Sequence, residues 1–298
     1  MRAPEDAIHR LVLWNIDLTL VDVARVTRAA YAEAFPAVTG RPLIKLPQMA
    51  GRSESEIFFD ALALNGVDVL ADGEAERMLE PFGAELAAAL QARRDDLAGQ
   101  GQALPGAADA LALNGVDVLA DGQAERMLEP FGAELAAALQ ARRDDLASQG
   151  LLLPGAADAL AAVAKLDQVV QTVLTGNGKA NAMLKLRAFD LDGFLDFDIG
   201  GYGSEAYPRG TLLRVARQRA SDSRGVTFDE RATVYVADSP RDVDAARIGG
   251  ASSLAVASGR ASAAELRDAG ADAVLPDLTD TTALITLITR LTEPPGYP

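Results

Sequence analysis

Three short apolar runs, each ending in a polar cluster, constrain this chain more than any other feature. Leu11 to Asn15 runs into Trp14-Asn15-Ile16-Asp17-Leu18-Thr19-Leu20, Val169 to Leu174 into Thr175-Gly176-Asn177, and Thr233 to Ala237 into Asp238-Ser239-Pro240-Arg241-Asp242. Runs of this length separated by helical patterns read as the buried strands of βαβ units, hence a mainly parallel sheet. Further strands are expected at Phe197 to Ile199, Ser253 to Ala257 and Ala273 to Leu275. Helices are expected at Ala156 to Leu166, Ala180 to Ala188, Gly210 to Ala220, Asp242 to Ile248 and Ala261 to Ala269. Open parallel sheets gather their ligands at the carboxyl ends of the strands, where all three clusters fall.

Between the first and second clusters the pattern changes. Residues 22–152 read as helices only, with Leu153-Pro154-Gly155 as a return hinge. Residues 61–109 reappear as 110–158 with four changes: Glu74/Gln123, Gly99/Ser148, Gln102/Leu151 and Ala103/Leu152. The tetrapeptide Asp-Ala-Leu-Ala begins at 60, 109 and 158, so short direct repeats bound the block, as slippage or recombination would leave them. A solenoid needs about three or more units with drift between them; two near-identical units point to recent duplication. Each unit reads as helical, with Pro130 expected at a first helical position and Phe131, Leu135, Leu139 and Leu146 along one face. The plain interpretation is an insertion tolerated at the surface. The second unit runs directly into the hinge and carries the more apolar Leu151 and Leu152, so it is expected to fill the authentic return path.

Composition removes several function classes. With 49% hydrophobic and 24% charged residues over 298 positions, the chain can bury a substantial core. A formal charge of -15 argues against a nucleic-acid partner, which is bound by clustered Lys and Arg. The absence of cysteine excludes disulfides, thiolate zinc and a thiol nucleophile, and His9 alone cannot build a histidine metal site. The apolar run at Leu11 is far shorter than the ~20 residues that span a bilayer, and no secretory cleavage pattern follows it. A soluble, cytoplasmic protein without a membrane partner is expected; oligomeric state stays open.

In that order and spacing, the three clusters resemble motifs one, two and four of the haloacid dehalogenase-like hydrolase superfamily. Within it the chain is most similar to phosphoglycolate-phosphatase-like members with a helical cap. The resemblance implies an α/β fold: a Rossmann-like parallel-sheet core over 1–21 and 153–298 with an all-helical cap over 22–152. It implies a magnesium-dependent phosphatase acting on a small phosphorylated metabolite through an aspartyl-phosphate. Asn15 stands at the nucleophile position, where the family has aspartate, and Asp17 at the general acid/base position. Asp238 and Asp242, with Asn15 and Asp17, stand where the family holds Mg2+. Thr175, Gly176 and Asn177 match the phosphate-binding turn. The motif-three cation is assigned to Arg209 in Ala206-Tyr207-Pro208-Arg209-Gly210, with Lys179 and Lys185 as alternatives. The loop Met49-Ala50-Gly51-Arg52-Ser53 resembles the segment that reaches over the site, which makes Arg52 a candidate for a substrate anion. Leu18 replaces the family's usual glycine.

An amide oxygen is a poor nucleophile, so hydrolysis by the family route should largely fail in this chain. Two other readings stand beside that one: a natural pseudoenzyme that binds a phosphorylated ligand or a protein partner through an enlarged cap, and an artificial chain built around a duplicated segment. Taken singly, each residue has a plainer explanation, Asp242 as a helix cap and Arg209, Lys179 and Lys185 as surface charges. Trp14 is expected in the core and His9 at the surface.

Overall fold

The computed structural model describes residues 9–49, 51–65, 122–205 and 209–293. Its centre is a six-stranded parallel sheet. The strands are β1 (Arg10–Trp14), β4 (Val169–Thr175), β5 (Gly201–Tyr202), β6 (Thr233–Ala237), β7 (Ser252–Val256) and β8 (Ala273–Leu275), in the order β5-β4-β1-β6-β7-β8. β1 pairs with β4 on one side and β6 on the other, Trp14 standing opposite both Val173 and Val236. Alternation along β1 sends Val12 and Trp14 into one apolar layer and Leu11 and Leu13 into the other. A strand covered on both faces has no polar side, hence the continuous apolar run Leu11 to Trp14. Trp14 is fully buried and its indole N–H donates to Gln171 Oε1 at 3.0 Å.

Helices α5 (Ala156–Val163), α6 (Lys179–Arg187), α7 (Arg209–Arg224), α8 (Pro240–Gly249), α9 (Ala263–Asp268) and α10 (Thr281–Leu291) complete the α/β, Rossmann-like core. The expected strand at Phe197 to Ile199 is not formed. The edge strand is β5, two residues further on, and the Tyr202 hydroxyl reaches back to the Phe197 carbonyl at 2.6 Å. Gly200 and Gly201 hid this strand, because close approach to Leu174 and Leu212 leaves Gly201 no room for a side chain.

The described residues between β1 and β4 are mainly helical, but the ends of the range read as helices only, Asp22 and Leu151 to Leu152, lie in a two-stranded antiparallel pair. There β2 (Val21–Asp22) meets β3 (Leu151–Leu152). α1 (Ala24–Thr39) ends where Gly40 turns left-handed at φ 68°. α2 (Glu54–Leu64) starts with a capping box between Ser53 and Glu56. α3 (Gly122–Ala141) and α4 (Arg143–Gln149) follow. Pro130 lies inside α3, not at its first position. The helix therefore tolerates one missing N–H bond, and the apolar face carrying Phe131, Leu135, Ala138 and Leu139 is buried. Phe131 stacks on Phe58 with centroids 4.2 Å apart and meets Tyr31 edge-on at 5.3 Å. That packed helix belongs to the second repeat unit. The first contributes residues 61–65 to the end of α2, and its remainder lies outside the described residues. Gly155 in the return hinge adopts φ +78° against Leu278, where a side chain would collide with backbone. Among the described residues, no helix is long and apolar enough to cross a membrane.

Candidate active site

β1, β4 and β6 are neighbours, so the polar residues that follow them meet at one edge of the sheet. Asn15, Asp17, Thr175, Gly176, Asn177 and Asp238 line a single cleft, with Arg52 and Arg209 above them. Asn15 is anchored by its backbone N–H to the Val236 carbonyl at 2.9 Å. Its side-chain Nδ2 donates to Asp238 Oδ1 at 2.9 Å and to the Asp17 carbonyl at 3.1 Å. Thr19 Oγ1 donates to the same Asp238 oxygen at 2.9 Å. Burial, and next the neighbouring Asp242, push the Asp238 carboxyl up to about 7. Gly259 approaches Asp238 so closely that an added Cβ would lie 2.0 Å from Oδ2.

The turn after Asp17 explains the missing glycine. Leu18 takes φ 62°, the left-handed region that glycine occupies without cost, while its N–H donates to the Val21 carbonyl at 2.8 Å. Leu18 thus holds a turn for which glycine is better suited.

Asp17 is held by two side chains. Lys185 Nζ donates to Oδ1 at 2.8 Å and Oδ2 at 2.9 Å, and Asn177 Nδ2 donates to Oδ2 at 2.7 Å. Lys185 also donates to Asn177 Oδ1 at 2.7 Å. Its side chain is only 2% exposed, against 40% for Asp17, so the ammonium lies behind the carboxylate and the carboxylate faces the cleft. Thr175 Oγ1 accepts from Asn177 N and Nδ2. Gly176 has no space for a side chain, being pressed between the Arg52 carbonyl and the Arg209 guanidinium.

Arg209 opens α7 and pairs with Asp242 while donating to the Arg52 carbonyl at 3.3 Å. Burial opposes its charge, but the Asp242 carboxylate more than offsets this, and the guanidinium is held above its ordinary range. Asp242 also accepts from the Tyr235 hydroxyl at 2.9 Å and from Ser239 Oγ at 2.5 Å. Ser239 caps α8, so Asp242 is held by its own helix start as well as by the cation opposite. Ala206, Tyr207 and Pro208 lie outside the described residues.

Two cations fall differently from expectation. Lys179 is not in the cleft: its ammonium pairs with the exposed Asp198 at 2.7 Å, because the first residue of α6 points away from the strand ends. Lys185, six residues on and about 120° round that helix, is the lysine that enters the site. Arg52 lines the cleft, yet its NH1 pairs with Asp60 at 2.5 Å, and among the described residues its buried Nε has no partner. Glu54 was not anticipated. It is 8% exposed, and burial holds its carboxyl above the ordinary range although Lys185 and the Gly178 N–H act against this. The only signal for it in the sequence is an acidic residue in the first turn of α2, which reads equally well as an ordinary helix-start charge.

The oxygens available suit a hard cation. Asn15 Nδ2 occupies one position within hydrogen-bonding distance of both Asp238 Oδ1 and the Asp17 carbonyl, so two oxygens already converge on an electropositive group. Among the described residues, no three Asp, Glu or His side chains cluster as a metal site.

Residues 117–247 match the family model described as haloacid dehalogenase-like hydrolase. The matched segment begins in the second repeat unit and contains Thr175, Arg209, Asp238 and Asp242. Comparison with curated proteins gives no match. Among solved structures, the chain is similar to a hydrolase from Pseudomonas syringae at 19% identity and TM-score 0.53, covering 94% of this chain and 99% of that one. A protein from Haemophilus somnus 129PT, described as a predicted phosphoglycolate phosphatase, aligns at 15% identity and TM-score 0.51, covering 94% and 99%. One from Clostridium acetobutylicum, described as a predicted phosphatase, aligns at 13% and 0.50, covering 94% and 100%. At such identities these structures establish the fold. The family match over residues 117–247 runs into α8, and so covers two of the three strand-end clusters that meet at the cleft.

Proposed function

We propose that the chain is a magnesium-dependent phosphatase of a small phosphorylated metabolite, phosphoglycolate-like in size, whose hydrolytic step is blocked at Asn15. The observation that carries this reading is the Asn15 amide at the end of the central strand, bonded to Asp17 and Asp238 in the cleft that Thr175 also lines. Asp238 and the Asp17 carbonyl would hold Mg2+ directly, Asn15 Oδ1 would be a neutral ligand, and Asp242 would act from behind Asp238. The ion supplies charge compensation for the phosphoryl oxygens when bound.

The rest follows from this chain's own groups. Thr175, the Gly176 and Asn177 turn and Arg209 would hold the phosphoryl group, and Arg52 would face the ester's other end. With a carboxylate at position 15, its oxygen would attack phosphorus while the bond to the leaving oxygen breaks. Asp17 would give that oxygen a proton and then take one from the water that hydrolyses the aspartyl-phosphate. The amide of Asn15 has no anionic oxygen to attack with. The chain as it stands therefore binds the ester and turns it over slowly or not at all. We assign the core to 1–21 and 153–298 and the cap to 22–152, in a cytoplasmic protein without nucleic-acid or membrane partners.

Asn15→Asp tests the reading. With Mg2+, the variant should hydrolyse small phosphate monoesters at least about 10³-fold faster than the unmodified chain, a conservative share of what a covalent nucleophile contributes. No turnover in the variant, or ordinary turnover in the unmodified chain, refutes it.

A further inference from the structure

Helix α6 begins at Gly178 without a capping side chain from its own segment. The group that fills this place comes from the helical layer across the cleft. Glu54 Oε2 accepts from the Gly178 N–H at 2.9 Å, and Asn181 Nδ2 donates to both Glu54 oxygens at 2.9 and 3.0 Å. A carboxylate at a helix N-terminus satisfies free N–H groups and meets the positive end of the helix dipole. The contact is reinforced from the same turn of α2. The Glu54 N–H donates to the Gly176 carbonyl at 2.7 Å, and Ser55 Oγ donates to the Gly203 carbonyl at 3.1 Å.

Asn181 and Lys185 are four residues apart, hence on one face of α6, and both are buried. One end of that face meets Glu54 and the other meets Asp17. From this juxtaposition we infer that Glu54 is a positioning residue. By seating the start of α6, it couples closure of the helical layer over the cleft to the orientation of Asp17, through Asn181 and Lys185. An open layer removes the cap from α6, loosens the Asn177 turn, and leaves Asp17 free to rotate away from a leaving oxygen. The role given to Asp17 is that of the proposed function; the seating of α6 does not depend on it.

Two measurements test the inference. In the unmodified chain, Glu54→Ala should speed amide hydrogen exchange over residues 178–182 by about 10-fold while β1, β4 and β6 keep their protection, with Glu54→Gln intermediate. In the Asn15→Asp background with Mg2+, phenyl phosphate and 4-nitrophenyl phosphate are compared, esters of like shape whose leaving groups differ in their need for a proton. Glu54→Ala should lower kcat for phenyl phosphate about 10-fold more than for 4-nitrophenyl phosphate, with Glu54→Gln recovering part of the loss. Equal losses on the two esters, or unchanged exchange at the start of α6, overturn the inference. If Asn15→Asp hydrolyses neither ester, the proposed function fails, and exchange alone decides whether Glu54 seats α6. Should Glu54→Ala not fold, Glu54→Gln carries both measurements.

Discussion

The Asn15 side-chain amide donates to Asp238 Oδ1 at 2.9 Å, so a neutral donor faces a buried carboxylate where the proposed reaction calls for two carboxylates and a cation. In Asn15→Asp that donor becomes an acceptor. Without divalent cations the variant should lose about 1–3 kcal/mol of stability, the cost of leaving a buried polar group unpaired. Mg2+ should restore it, and should stabilise the unmodified chain less. Denaturant midpoints with Mg2+ and with chelator measure both differences; a variant indifferent to chelation contradicts the account.

Asp238 also sets a pH dependence. Its folded carboxyl titrates at about 7, well above an unfolded aspartate, because burial and then Asp242 disfavour its charge. Between those two values the metal-free native state holds a proton that the unfolded chain has lost. The group's contribution is therefore fully present below the unfolded value and declines as pH rises through about 7. The metal-free protein should show a lower denaturant midpoint at pH 8 than at pH 6, and Asp238→Asn should flatten that slope.

Leu18 holds φ 62° in the turn between Asp17 and Thr19. An L-residue there costs roughly 1–2 kcal/mol, and glycine gives back part of that gain through a freer unfolded chain. Leu18→Gly is expected to stabilise the protein by about 0.5–1 kcal/mol net, read as a shift of the unfolding midpoint. A loss of stability would mean that the leucine side chain contributes more at the cleft than the turn costs.

Phe131 is 1% exposed and lies between Phe58 and Tyr31. Phe131→Ala should cost about 3–5 kcal/mol by removing an aromatic from a packed core. A cost below about 1 kcal/mol would show that α3 does not depend on this contact.

Deleting residues 61–109 should preserve the fold. The replacement residues 110–114 repeat Ala-Leu-Ala-Leu-Asn, so the end of α2 and the Asn65 contacts to Ile44 and Lys45 are rebuilt with the same residue types. The stretch between Asn65 and Gly122 shortens from 56 residues to seven, and closing a shorter connection costs less, by at most about 2 kcal/mol for an eightfold change. The shortened chain should therefore melt no lower than the full one and retain far-ultraviolet circular dichroism per core residue; a collapse of either would give the extra unit a structural role.

The central strands were legible because burial on both faces leaves them rich in apolar and β-branched residues, and β6 and β8 span the runs read for them. β5 was not, since it is two residues long and glycine-rich, set by close approach and not by side-chain pattern. The strand-end residues Asn15, Asp17, Thr175 and Asp238 could be placed together from order alone. The partners of Asp17 could not: choosing between Lys179 and Lys185 requires the rotation of α6, and finding Glu54 requires knowing which helix start lies across the cleft. Pro130 misled for a related reason, because tertiary burial of Phe131 and Leu135 outweighs one lost backbone bond.

The ladder that joins Trp14 to Val173 and Val236 has one further consequence, for how such a chain can change over generations. Distances among the residues at those strand ends are inherited from hydrogen-bonded rungs, whereas what can enter from above is inherited from a connection whose length no rung fixes. One inserted residue in β1 would reverse the facing of every side chain beyond it. Between Asn65 and Gly122, forty-nine leave the ladder intact. Changes of length are thus tolerated in that connection and rejected within the ladder.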